Sequence, residues 1–158
     1  MAPAADVKKH VMESLKSVPL GKTAKELQIG KDFYKHFFTN HPDLRVYFKG
    51  AENYTADDVQ KSDRFEKLGR RILLGVHLLA NCFDDETTFR AYVRDTMDRH
   101  VPLKIDPTLW GKFFCIFVSF LETRGAVSDD QKAAWKQLGD MFIEESQSHL
   151  RACGLPHA

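Results

Sequence analysis

The chain has 158 residues, of which 43% are hydrophobic and 28% charged, and its formal net charge is +1. This length fits one domain with a real core, and the composition is that of a soluble globular protein rather than a disordered one. The near-neutral charge, without a basic stripe, argues against a surface for nucleic acid or for an anionic membrane.

The sequence also argues against membrane insertion and secretion. The longest apolar runs, 72–80 and 113–121, have about half the length that a membrane-spanning helix needs. The first residues lack the basic and apolar stretches of a secretion signal. Three widely spaced cysteines without a C-x-x-C pair favour neither a zinc site nor a disulfide framework. We therefore expect a cytoplasmic protein with reduced thiols.

Apolar residues recur at helical spacing along the whole chain, which predicts an all-α protein of six long helices and one or two short ones. We predict long helices at about 6–17, 24–40, 64–83, 86–100, 107–124 and 129–150, with short helical turns near 43–47 and 55–58. Thr23 and Ser128 each begin a capping box, and Pro42 ends the second helix. No strand pattern, repeat or linker interrupts residues 1–158. We expect a single domain with a helical core of about 6–150 and a short C-terminal tail.

His100 is the first candidate site residue. Pro102 removes a backbone donor and pushes Val101 out of the α region, so the helix must end at this histidine. A histidine at such a terminus can be a metal ligand, a helix cap or a surface residue, and by itself it does not distinguish them. The chain contains twelve phenylalanines, which suits a site that holds a large apolar group.

Two glycines occupy positions inside predicted helices, Gly30 in the second and Gly69 in the central one. Each costs about 0.5–1 kcal/mol relative to alanine. They are either tolerated surface glycines or the point where the two helices cross too closely for a β-carbon. We expect the crossing, which would direct Tyr34, Leu68 and Ile72 into one pocket.

Three segments then show a family resemblance. The segment GKDFYKHFFTNHPDLRVYF (30–48) resembles the globin segment with a proline at a helix corner and a phenylalanine six residues later. The segment FEKLGRRILL (65–74) resembles the globin distal helix, and RHVPLKIDP (99–107) resembles the proximal histidine and the corner after it. The chain is most similar to nematode globins because it also contains Tyr34 and the segments NYT (53–55) and DDETTFRAY (84–92). The likeness covers nearly the whole chain.

The resemblance implies a globin fold around one haem b. It makes His100 the proximal ligand of the haem iron and Phe48 the ring packed on the haem face. Lys104 and Arg71 correspond more loosely to the cationic partners of the haem propionates. A haem iron held by one neutral imidazole keeps its sixth position open for a gas.

On the distal side, the resemblance makes Tyr34 the hydrogen-bond donor to bound gas and Ile72 a lining residue. Leu68 departs from the family pattern, because related globins usually have histidine or glutamine there. Since leucine neither donates nor ligates, Tyr34 would supply the polarity through a hydrogen bond of about 1.5–3 kcal/mol. Tyr34 as a core residue bonded to a backbone carbonyl is the alternative. Arg71, one turn on, is a second residue able to enter the pocket.

The resulting hypothesis is reversible, high-affinity binding of molecular oxygen for storage or transport, without enzymatic activity. One alternative is a haem enzyme that oxidises nitric oxide or a related small molecule, or a peroxidase-like side activity, with an outside reductant. A gas sensor is the other alternative, and with no output domain it would have to act through assembly.

Assembly itself is a further expectation. On the central helix, Leu74 and Leu78 lie four residues apart on the side away from the core, among charged residues. Such a pair is either scattered surface apolarity or the centre of a contact. We expect a homodimer in which this helix packs against its mate. The six other histidines are interpreted as surface residues, and Cys82 and Cys115 as packing residues.

Overall fold

The computed structural model describes all residues, 1–158, and contains seven α-helices and no strand. The helices are α1 Ala4–Ser14, α2 Ala24–Asn40, α3 Ala56–Gln60, α4 Asp63–Asn81, α5 Glu86–His100, α6 Trp110–Glu122 and α7 Asp129–Ala152. Short 3-10 turns cover Leu15–Ser17, Pro42–Tyr47, Val101–Leu103 and Pro107–Leu109. The prediction of an all-α protein with six long helices and one or two short ones is confirmed.

The helix starts follow the local capping signals. Thr23 accepts a hydrogen bond from the Glu26 backbone while the Glu26 side chain accepts one from the Thr23 backbone, and Ser128 begins α7 in the same way. The start of α6 differs most from the prediction, since this helix begins at Trp110 rather than near Pro107; α1 begins two residues early, at Ala4. The Asp106 carboxylate accepts from the Thr108 backbone N–H at 2.9 Å, and this tighter bond turns the first residues into a 3-10 turn.

The predicted crossing of α2 and α4 is confirmed. A β-carbon built on Gly30 would lie 2.6 Å from the Gly69 Cα, so the two backbones touch and neither position has room for a side chain. Tyr34 lies one turn beyond this contact on α2, and Leu68 and Ile72 flank it on α4. The crossing therefore fixes how these three residues are placed relative to each other.

The core is a single cluster of 29 buried residues drawn from most of the helices. Leu74 and Leu78 remain outside it, with 48% and 42% of their surface exposed. None of the helices combines the length and apolar character that a membrane-spanning segment needs.

Two predictions about burial, one for a cysteine and one for the histidines, are wrong. Cys115 is exposed on α6 and does not pack in the core. Of the six histidines interpreted as surface residues, only His157 is exposed, and the other five are half-buried. Three of these, His36, His77 and His149, each make a hydrogen bond to another element. The His77 ring Nε2, for example, lies 2.8 Å from the carbonyl oxygen of Val18 and donates to it.

Candidate functional site

His100 is the last residue of α5, and its ring is held on two sides. The ring packs edge-to-face on Trp110 with centroids 5.1 Å apart. The Nδ1–H group donates to the Thr96 carbonyl oxygen at 2.6 Å, which places the single proton of the neutral ring on Nδ1. Nε2 then has a free lone pair and no hydrogen-bond partner in the protein. This is the arrangement by which proteins orient a metal-ligating imidazole.

The surroundings favour the neutral form of this ring. Burial lowers the pKa of His100, the hydrogen bond to Thr96 acts to raise it, and the charge of Arg99 lowers it further, with a net decrease. No group of three or more histidine, cysteine, aspartate or glutamate side chains is placed to hold a metal ion. A metal at Nε2 of His100 would therefore need most of its ligands from a bound group such as a macrocycle.

A cavity of about 580 Å³ lies beside this ring. Its volume is in the range of sites that take small molecules and cofactors, and seven of its twelve lining residues are hydrophobic. It brings His100 together with Trp110 and Lys104. The other predicted site residues do not line it: Tyr34, Phe48, Leu68, Arg71 and Ile72 form a second group around α2 and α4.

Lys104 adopts a conformation that costs energy. Its φ of 51° is the only positive value among the non-glycine residues, and a left-handed conformation costs a residue with a β-carbon about 1–2 kcal/mol. The turn places Lys104 in the cavity wall. None of the ion pairs within the protein involves Lys104 or Arg71, so both cations remain available to an external anion.

Tyr34 is the buried polar residue of the second group, with 6% of its surface exposed. Its ring lies edge-on to Phe33, Phe48 and Phe65 at centroid distances of 5.2, 5.7 and 5.2 Å. No backbone carbonyl or other protein group pairs with its hydroxyl. Because no fully enclosed side-chain oxygen or nitrogen lacks a partner, this hydroxyl must open onto a space between the helices.

The surroundings of the Tyr34 hydroxyl keep it protonated, so that it can donate a hydrogen bond. Burial raises the pKa of Tyr34 well above its usual value, although the charges of Arg71 and Arg64 act to lower it. The phenol is therefore protonated at neutral pH.

Phe48, which follows the 3-10 turn, is half-buried. Along α4 the half-buried Leu68 and Ile72 alternate with the fully buried Phe65 and Gly69. Apolar residues that pack on the core but keep exposed surface border an opening rather than fill the interior. Leu68 and Ile72, which flank the crossing on α4, and Phe48, which contacts the Tyr34 ring, therefore keep enough exposed surface to line the pocket expected there.

A continuous series of ring contacts joins the two groups. It runs from His100 through Trp110, Phe142, Phe114, Phe113 and Phe33 to Tyr34, with centroid distances between 5.1 and 6.3 Å. Sequence reasoning did not assign Trp110 or the Thr96 carbonyl to the site. The Thr96 carbonyl could have been assigned from the sequence, because Thr96 lies four residues before His100 and therefore one helical turn away.

This helical fold and these groups define a binding protein for a large, mostly apolar, metal-containing prosthetic group. The globin family model matches residues 31–146. The chain is 62% identical over 153 residues to a myoglobin of Nippostrongylus brasiliensis, covering 97% of this chain and 99% of the relative. It is 55% identical to the cuticular globin isoform of the same organism, covering 100% of this chain and 91% of that one.

A solved structure of a globin-like protein of C. elegans superposes with a TM-score of 0.99 at 50% identity, covering all of both chains. The chain belongs to the globin family, whose function is haem-based oxygen binding. The residues present fit a haem, since His100 offers a free imidazole nitrogen, the cavity beside it is apolar, and the Tyr34 hydroxyl lacks a protein partner.

Proposed function

We propose that residues 1–158 form one globin domain that binds one haem b and carries oxygen reversibly with high affinity, for storage or transport. The observation that supports this best is the His100 ring, fixed through Nδ1 on Thr96 with Nε2 free beside an apolar cavity. Haem iron held by a single imidazole supplies an open coordination position for a small gas.

On the proximal side, His100 binds the iron, and the Thr96 carbonyl holds the ring in the required tautomer. Phe48 would be one of the apolar side chains that hold the haem. Lys104 and Arg71, which have no carboxylate partner in the protein, pair with the propionates. Such charge-assisted pairs at the protein edge each add modestly to cofactor binding, by up to about 1 kcal/mol.

On the distal side, Tyr34 would hold oxygen in the pocket by donating a hydrogen bond from its hydroxyl. Leu68 and Ile72 keep water away from the gas, which strengthens that single bond because the local dielectric is low. Arg71 influences Tyr34 electrostatically and is a second residue able to enter the pocket on this side. One buried donor in an apolar surrounding favours slow oxygen release and hence high affinity.

Absorption spectra of the ferrous, oxygenated and carbonmonoxy forms test the proposal. The protein should take up one haem b per chain and cycle between the deoxygenated and oxygenated forms. The variant His100→Ala should lose stable haem binding, while the half-buried control His36→Ala should retain it. A normal five-coordinate ferrous spectrum in His100→Ala would show that another residue is the ligand.

We further propose that the protein is a carrier and not an enzyme. Peroxidase-like chemistry uses a distal acid or base, and Leu68 offers neither. Nitric oxide consumption in the presence of a reductant distinguishes the roles. A carrier should react once per bound oxygen, whereas sustained turnover would support the nitric oxide enzyme, and a ligand-dependent change of assembly would support a sensor.

The assembly we propose is a homodimer through α4. Leu74 and Leu78 are half-exposed and one turn apart, so α4 presents an apolar strip that a second copy can cover in an isologous contact.

We also propose a cytoplasmic location. All three cysteines are free, and Cys115 and Cys153 are exposed, which suits a reducing compartment. Fractionation of tissue, with thiol labelling of the native protein, tests this. Recovery from an extracellular layer, such as the name of the cuticular relative indicates for that protein, would contradict it.

A further inference from the structure

The chain reverses direction sharply after α7. Gly154 has a φ of 69°, a left-handed conformation that favours glycine. Its N–H donates to the Arg151 carbonyl at 3.0 Å, and the N–H of Leu155 donates to the Leu150 carbonyl at 2.9 Å. These two bonds form a Schellman motif, which commonly brings the residue after the glycine into contact with the helix. The direction of the following residues, 154–158, is therefore set by backbone bonds.

This C-terminal segment, residues 154–158, forms part of the wall of the His100 cavity. Leu155 and Pro156 both line it, beside Leu150 of α7 and Trp110 of α6. Leu155 is half-buried although it lies beyond the last helix. The segment thus covers an edge of the cavity that would otherwise face water.

A buried amide holds the segment in place. Gln147, with 9% of its surface exposed, accepts a hydrogen bond from the Ala158 N–H through Oε1 at 2.6 Å. Its Nε2 donates to the Pro107 carbonyl at 3.1 Å, and Pro107 also lines the cavity. One side chain therefore ties the C-terminal segment to the turn that precedes α6.

We propose that segment 154–158 is a strap that retains haem on the His100 side, and that Gln147 is the residue that positions it. The proposal rests on the haem-binding role given to His100 above. The strap lies outside the helices and is held by a few hydrogen bonds, and such segments open locally without global unfolding. Each opening exposes the cavity edge and admits water to the His100 side, so the frequency of opening governs how fast haem leaves.

The rate of ferric haem transfer to an excess of a haem-free acceptor globin measures this retention. Removing 154–158 should accelerate haem loss roughly tenfold, because the apolar cover of Leu155 and Pro156 is lost. Leu155→Ala and Gln147→Leu should each accelerate it severalfold. Ser148, exposed on α7 next to Gln147 but outside the strap, provides the control: Ser148→Ala should stay within about twofold of the wild type.

Hydrogen exchange on the haem-free protein gives a second readout. The Leu155 amide, bonded to the Leu150 carbonyl, should exchange faster in Gln147→Leu than in the wild type, with the exchange of the α2 and α4 amides unchanged. The melting temperature of haem-free Gln147→Leu should also stay near that of the wild type. If the shortened chain fails to fold, Leu155→Ala and Gln147→Leu decide the question.

The strap proposal is wrong if the wild type binds haem normally and the variants release haem at the wild-type rate. Equal acceleration in the Ser148→Ala control would also overturn it. Failure of the wild type to bind haem would instead refute the haem-binding proposal itself, and that outcome is read directly from the wild-type spectrum.

Discussion

Replacing Tyr34 by phenylalanine removes one oxygen atom and leaves the ring to fill the same space among Phe33, Phe48 and Phe65. Because the hydroxyl bonds to no protein group, the haem-free protein should lose no more than about 0.5 kcal/mol of stability. Bound oxygen, however, loses its only proposed donor. A hydrogen bond of about 1.5–3 kcal/mol corresponds to a rise in the oxygen dissociation rate of roughly ten- to a hundredfold.

Stopped-flow displacement of oxygen by carbon monoxide measures this rate. The carbon monoxide dissociation rate should change much less, because that ligand carries less charge when bound. Tyr54→Phe is a matched control, since the Tyr54 ring also contacts Phe65, at 5.9 Å. Equal acceleration of both gases in Tyr34→Phe would mean that Tyr34 acts through packing, and an unchanged oxygen rate would mean that it is not the donor.

Three further predictions concern α4. Because Leu68 cannot ligate iron, the deoxygenated ferrous protein should be five-coordinate, and a sharp six-coordinate low-spin spectrum would contradict this. Light scattering at tens of micromolar should show a dimer that Leu74→Glu with Leu78→Glu dissociates; a monomeric wild type, or a dimeric double variant, would end the proposal. Gly69→Ala should lower the unfolding free energy by about 1–3 kcal/mol, because its β-carbon meets the backbone of α2. The helical control Gly111→Ala has room for a β-carbon and should be neutral or stabilising by up to about 1 kcal/mol, so equal losses in both would refute the argument from close contact.

The helices were predictable wherever a local interaction sets their ends. The capping boxes at Thr23 and Ser128 form between residues three positions apart, and Pro42 begins the 3-10 turn that follows α2, so the sequence contains the whole signal. The start of α6 was missed because the Asp106 side chain reaches Thr108, two residues ahead. The conformation with that bond and a regular first helical turn differ little in free energy, and the spacing of apolar residues does not indicate which of them forms.

The candidate site was likewise predictable only where local sequence determines the structure. The helix end at His100 and the crossing at Gly69 follow from residue type and spacing. The cavity wall made by Leu155 depends on how the chain folds back after α7, and no pattern near Leu155 indicates its distant neighbours. His77 and Cys115 were misjudged for a related reason: exposure on a helix depends on which other element packs against that face, as when Val18 offers its carbonyl to His77.

The contact between the Gly30 and Gly69 backbones makes the frame of the pocket independent of the side chains that line it. Since neither residue has a β-carbon, the distance between α2 and α4 at this point is set by main-chain atoms. Leu68 directly precedes Gly69, and Ile72 follows within one turn. If Leu68 and Ile72 line the gas pocket as proposed, exchanging either for a polar residue would change what the pocket offers a gas. The backbone contact at the crossing would stay, so ligand preference could shift through single substitutions that leave the spacing of the two helices unchanged.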